Sequence, residues 1–270
     1  MQANELDNQP YSMTLLETGY AISGSVSDYD PTFRVGERGL LQITNAVGAT
    51  KTFFVVKLPA SGEEVQNLTC MPSEKHLGEH RRLVDTVDLC ITYCLGSSVL
   101  FDRGDATEHI KITDNFEEKF NERQIATGMA TTHHVSFTAA ACISATFTTT
   151  IEAIEQVASL AGECDTDEHK KDILNLYREG TIRPYVAMER WYKIVEALEA
   201  QIAWKKKLSA KEKKFLHSYP QLFRHYKSKA NHINAEKGLI EQWPDELESP
   251  QKGIETYHSY LRTLLREYLG

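Results

Sequence analysis

Nine consecutive residues, 224–232, read RHYKSKANH. They bring together the side chains that cleave RNA without a metal. The ribose 2′-hydroxyl can attack its own phosphate if one group removes its proton and another protonates the leaving oxygen. A third must hold the charge building on the phosphate. Histidine exchanges protons near neutral pH, which gives His232 the first two tasks. Arginine binds two phosphate oxygens at once, which gives Arg224 the third. Lys227 adds a point charge, and Asn231 can orient a phosphate or a water. This chemistry calls for no cofactor and no metal.

Helical spacing tests whether these groups meet. Arg224, Lys227 and Asn231 step by three and then four residues and share one face. His232 is eight residues from Arg224 and turns about 80° away on a straight helix. Convergence therefore needs a bend before Asn231. A solvated basic face accounts for the same residues without chemistry, as basic runs commonly point to water.

Charge supports a polyanion partner locally and argues against one globally. The 270 residues carry a formal charge of −8. Between Gln201 and Ile233 there are nine Lys or Arg and one acid, Glu212. That segment is +8, which leaves −16 for the rest. A basic patch on an acidic body focuses on one anionic partner, either RNA or an acidic protein, without general stickiness.

The elements that must position the segment follow from periodicity. The chain is expected to be α+β and mostly helical. A mixed, β-rich region over residues 1–125 precedes a helical bundle over residues 126–270. GLLQIT and KTFFVVKL have strand character between glycine-marked turns. HLGEHRRLVDTVDLCITYCL places Leu77, Val84, Val87, Ile91 and Leu95 on one stripe, which predicts a helix near 74–96 closed by Gly96. Ala140, Ile143, Phe147, Ile151, Ile154 and Ala158 predict a longer helix; the threonines at 148–150 make a strand its rival over 137–150. Further helices are predicted at DEHKKDILNLYREG, after Pro184, at LSAKEKKFLHSY and at GIETYHSYLRTLLREYL. Ser209 and Glu212 have capping-box spacing. The last helix carries Ile254, Tyr257, Leu261, Leu264 and Tyr268 on one stripe. A bundle buries such stripes.

Other chemistry is weaker. Cys90 and Cys94, with Cys70, His76 and His80, are the candidates for a zinc site, for which small buried thiols are the plainer reading; a metal-dependent hydrolase would use the early histidines and acidic residues. Asp102, Asp105, Glu108 and His109 form an acidic loop cluster. His133 and His134 are adjacent and diverge. Trp191 fits a helix core. No glycine-rich loop leads into a helix with Lys-Ser or Lys-Thr, so no phosphate-binding loop is expected. The first residues, MQANELDNQPYSM, lack a signal's apolar core, and no run reaches membrane-spanning length. A cytoplasmic protein is expected.

The order of a long helix from about residue 135, ERWYKIVEALE, FRHYKSKANH and a closing helix resembles the HEPN superfamily over roughly residues 130–270. The resemblance implies a small helical bundle, commonly a homodimer. It also implies, in many members, a metal-independent endoribonuclease of toxins and antiviral defence. The family motif is Arg, four to six residues, then His, often with a polar residue after the Arg. His232 matches the histidine. Arg224 leaves seven residues between. Lys227 leaves four, with Ser228 as the polar residue. The resemblance then implies His232 as general base or acid, Arg224 or Lys227 on the phosphate, and Asn231 holding the scissile group. The rival reading is a non-enzymatic binding or assembly module.

Overall fold

A computed structural model describes residues 10–17, 20–22, 31–45, 52–61, 64–66, 71–96, 111–113, 147–183, 186–200, 208–230 and 250–270. The chain divides into two compact units, Met1–Lys171 and Asp172–Gly270. The first joins β-strands to helices and the second is helical, so the α+β, mostly helical class holds. The expected change of character at residues 125–126 lies outside the described residues.

The main sheet of the first unit is built from β1 (Tyr11–Glu17), β3 (Thr32–Val35), β4 (Gly39–Asn45), β5 (Thr52–Pro59) and β8 (Lys111–Thr113). These five strands are antiparallel, in the order β3-β4-β5-β1-β8. Two smaller pairs accompany them: β2 (Tyr20–Ile22) runs parallel to β9 (Phe147–Thr149), and β6 (Val65–Gln66) pairs with β7 (Met71–Pro72). Facing residues across an antiparallel ladder share a side of the sheet. Ser12 faces Leu58 and Thr14 faces Val56, with Leu41 beside Val56. These two polar residues therefore stand in an otherwise apolar row, and all five are buried.

Helices α1 (Glu74–Leu95) and α2 (Ile151–Thr166) pack on one another and on this sheet. Ser73 caps α1 by accepting from the His76 N–H at 3.2 Å, and Gly96 ends it at φ 87. A left-handed C-terminal residue of this kind is a common glycine stop. The buried side of the first turns of α1 holds His76 and His80, while Leu77 of the expected stripe is half-buried. Gly162 lets α2 approach the β3–β4 turn: a Cβ there would stand 2.7 Å from the Gly36 nitrogen.

The helix expected to run through Phe147 is corrected. Phe147–Thr149 is a strand, and α2 begins only at Ile151. The β-branched threonines explain the break. They suit a strand, and Thr150 turns its hydroxyl to accept the Ala153 N–H at 3.3 Å as an N-cap. Residues 135–146 of the expected helix lie outside the described residues.

The second unit contains α3 (Glu168–Ile182, which begins just before the boundary), α4 (Ala187–Glu199), α5 (Ala210–Ala230) and α6 (Pro250–Leu269). The helices α4, α5 and α6 pack pairwise. Trp191, Leu216, Tyr219, Tyr257, Leu261 and Leu264 form the core, as the helical stripes require. Trp191 stacks with His258 at 4.8 Å between ring centres, and the Tyr177 hydroxyl shares a 2.8 Å hydrogen bond with His258 Nε2. Among the described residues, no helix is long and apolar enough to cross a membrane.

Candidate functional site

The cationic segment is carried by α5. Its start is built as its spacing predicts: Ser209 Oγ accepts the Glu212 N–H at 3.3 Å, and Glu212 Oε2 accepts the Ser209 N–H at 2.7 Å. This reciprocal pair satisfies two first-turn donors. It also ties the one acid of the segment to the backbone, and that hydrogen bond holds the Glu212 carboxyl below its ordinary range. Leu216 and Tyr219 point into the core. The opposite face, Lys211, Lys214, Ser218, Gln221 and Arg224, is exposed.

Arg224 is thus in water on α5, and Lys227 follows on the same helix. Asn231 and His232 lie outside the described residues. The bend required before Asn231 has a nearby cause in Pro220, which sits inside α5 and removes one backbone donor. Pro220 precedes Arg224, however, so a bend there carries Arg224 and the residues after it together. It does not by itself turn His232 toward Arg224.

A second constellation escaped the sequence reading. On β1, Ser12 Oγ lies 2.8 Å from His76 Nε2 and 2.7 Å from His80 Nδ1. Thr14 Oγ1 lies 2.8 Å from His80 Nε2. The two histidines are one helical turn apart on α1, and Ser12 and Thr14 are two apart on one strand face, so both pairs point the same way. His76 Nδ1 makes no hydrogen bond among the described residues, and Glu64 Oε2 stands 3.9 Å from it. Arg38 binds Glu64 through both guanidinium nitrogens, at 3.2 and 2.9 Å, and donates to the Pro59 carbonyl at 2.7 Å.

Counting protons gives this network a direction. Ser12 has one proton to donate, for which the Leu58 carbonyl at 3.3 Å is a longer rival to His76 Nε2 at 2.8 Å, and each neutral imidazole has one. A carboxylate facing His76 Nδ1 favours a proton on that nitrogen, which leaves Nε2 to accept from Ser12. His80 then donates from Nδ1 to Ser12 and accepts the Thr14 hydroxyl at Nε2. The order is Thr14, His80, Ser12, His76, Glu64. Burial pulls the His80 pKa down to about 3 and lowers that of His76. The Arg38 hydrogen bonds hold Glu64 down at about 2.

Hydroxyl, imidazole and carboxylate in this order are also the parts of a hydrolytic triad. Ser12 and His76 have no exposed surface, so a substrate has no path to the Ser12 hydroxyl in this arrangement. The network braces α1 against β1. The spacing H-x-x-x-H was the signal available in the sequence; nothing in it named a serine 64 residues away as the partner.

Comparison with protein-family models, with curated proteins and with solved structures gives no match. The function therefore has to be argued from this chain alone.

The remaining candidates separate. Both ring nitrogens of His80 and Nε2 of His76 are engaged with Ser12 or Thr14. Among the described residues no three His, Cys, Asp or Glu side chains gather as a metal site. Cys90 and Cys164 are buried, with their thiols close to one another across the α1–α2 contact. Cys94 is half-buried. Trp191 is in the core, as expected. Cys70, Asp102, Asp105, Glu108, His109, His133 and His134 lie outside the described residues.

Proposed function

We propose that the helical unit acts on RNA as a HEPN-like domain and cleaves it without a metal. One observation carries this reading: Arg224 stands exposed on α5, with Lys227 on the same helix and Asn231 and His232 next in the chain. In the proposed reaction His232 takes the proton of a ribose 2′-hydroxyl. That oxygen bonds to phosphorus, and the bond to the 5′-oxygen breaks as it receives a proton. Arg224 and Lys227 hold the phosphate oxygens and Asn231 orients them. A homodimer would set two such segments across a two-fold axis. The fitting biological setting is a toxin or antiviral defence system.

The alternative is a non-enzymatic module docking an acidic protein. Lysine at the position where the family motif has arginine favours it, because an ammonium lacks the bidentate geometry.

Purified protein incubated with mixed structured RNAs in chelator tests the reaction. Products with wild type, and none with His232→Ala, are expected. Equal background-level products from both would remove the nuclease reading.

A further inference from the structure

We infer that the exposed face of α5 is a docking track for the sugar-phosphate backbone of single-stranded RNA. This inference deepens the proposed RNA reading and rests on it.

Lys211, Lys214, Ser218, Gln221 and Arg224 are all exposed. Their steps of three, four, three and three residues keep them within about 140° of helical arc and spread them over about 20 Å. Among the described residues Lys211, Lys214 and Arg224 form no ion pair. Elsewhere in this unit Arg190 pairs with Glu179 at 2.6 Å and Lys193 with Glu189 at 3.5 Å. Glu212 is committed to the Ser209 backbone rather than to a neighbouring lysine. On the flank of α5, Glu199 stands 3.5 Å from His217.

The partner follows from this chemistry. Three exposed cations in a row, without an ion pair among the described residues, with a hydroxyl and an amide between them, match a chain of evenly spaced anions with polar sugar edges. Such contacts grip the backbone and carry no sequence information. The track ends at Arg224, the cation proposed to hold the scissile phosphate.

The test separates gripping from cutting. A labelled twelve-nucleotide 2′-O-methyl RNA of unstructured sequence cannot be cleaved through its 2′-oxygen. Its binding is measured by fluorescence anisotropy over a series of salt concentrations, for wild type and for Lys211→Ala with Lys214→Ala. Each phosphate contact contributes about 0.7 to the slope of log affinity against log salt for single strands. Loss of two contacts is expected to make the slope shallower by about 1.4, with weaker binding at every salt concentration. Circular dichroism confirms that the double variant keeps its helices. An unchanged slope overturns the track, and the nuclease reading then stands or falls on the chelator assay alone. A changed slope with no cleavage by wild type keeps the track and removes the enzyme. Wild type that prefers polyglutamate to the RNA overturns the track in favour of an acidic protein partner.

Discussion

Ser12 Oγ is 2.8 Å from His76 Nε2, across 64 residues of chain, and its second imidazole partner, His80, is 2.7 Å away. One small hydroxyl thus joins strand β1 to two successive turns of α1. All three residues are fully buried. A buried polar group left without its partner costs about 1–3 kcal/mol. Ser12→Ala orphans one nitrogen on each histidine, so it should destabilise the first unit by at least about 2 kcal/mol in urea denaturation. The direction of the network is separately visible. Nitrogen-15 chemical shifts should show neutral His80 protonated at Nδ1. Protonation at Nε2 instead would reverse the donor and acceptor roles of Ser12 and Thr14 toward this ring.

Acid should loosen the same brace. The unfolded imidazole takes up a proton near its ordinary 6.5, whereas burial delays His80 to about 3. Across that interval the unfolded state holds more protons than the folded one, so stability falls as pH falls. His76 is shifted in the same direction, with burial opposed by Glu64. Glu64 acts lower on the scale. Its contribution is complete above its ordinary 4.5 and is lost as pH falls toward about 2. Urea midpoints at pH 7.5, 5.5 and 4.5 should therefore decline in that order. Equal midpoints at all three would show that the histidines are not buried neutral.

The second unit offers the opposite case. Tyr257 is fully buried in the α4–α5–α6 core, and its hydroxyl has no hydrogen-bond partner among the described residues. Burial pushes its ionisation upward, so the group stays neutral and unsatisfied. Tyr257→Phe removes the hydroxyl and keeps the ring that meets Trp191 and Tyr219. Neutral to mildly stabilising behaviour, up to about 1 kcal/mol, is expected in thermal or urea unfolding. A loss of about 2 kcal/mol or more would reveal a partner for that oxygen.

Periodicity made the helices legible, and it failed where polar residues took core positions. The stripe through Val84, Val87 and Ile91 is buried as read, but its continuation toward the start of α1 is His76 and His80, not Leu77. An apolar template has no means of recognising an imidazole satisfied by a distant strand. The capping box at Ser209 and Glu212 was readable because it is local and both halves lie within one turn. The Phe147–Thr149 strand was hidden because its pairing partner is β2, more than a hundred residues upstream. Of the candidate site, the sequence supplied residue types and order. The structure adds which cations on α5 are exposed and, among the described residues, without an ion pair; their exposure is set by where Leu216 and Tyr219 anchor the helix.

The identity of residue 227 provides the sharpest test of the proposed chemistry. If Lys227 occupies the phosphate-binding position of the motif that ends at His232, its ammonium supplies charge at one point. A guanidinium there would donate two parallel hydrogen bonds to the phosphate, which become stronger as charge builds in the transition state. Lys227→Arg should therefore raise kcat/KM for RNA cleavage in chelator, by about tenfold for a gain near 1.4 kcal/mol. Lys227→Ala should lower it while leaving His232 in place. The comparison also sorts the rival readings. A docking face for an acidic protein tolerates either cation equally, so Lys227→Arg would leave that partner's affinity nearly unchanged. Equal cleavage by wild type, Lys227→Arg and Lys227→Ala would remove Lys227 from the reaction and leave Arg224 as the cation on the phosphate.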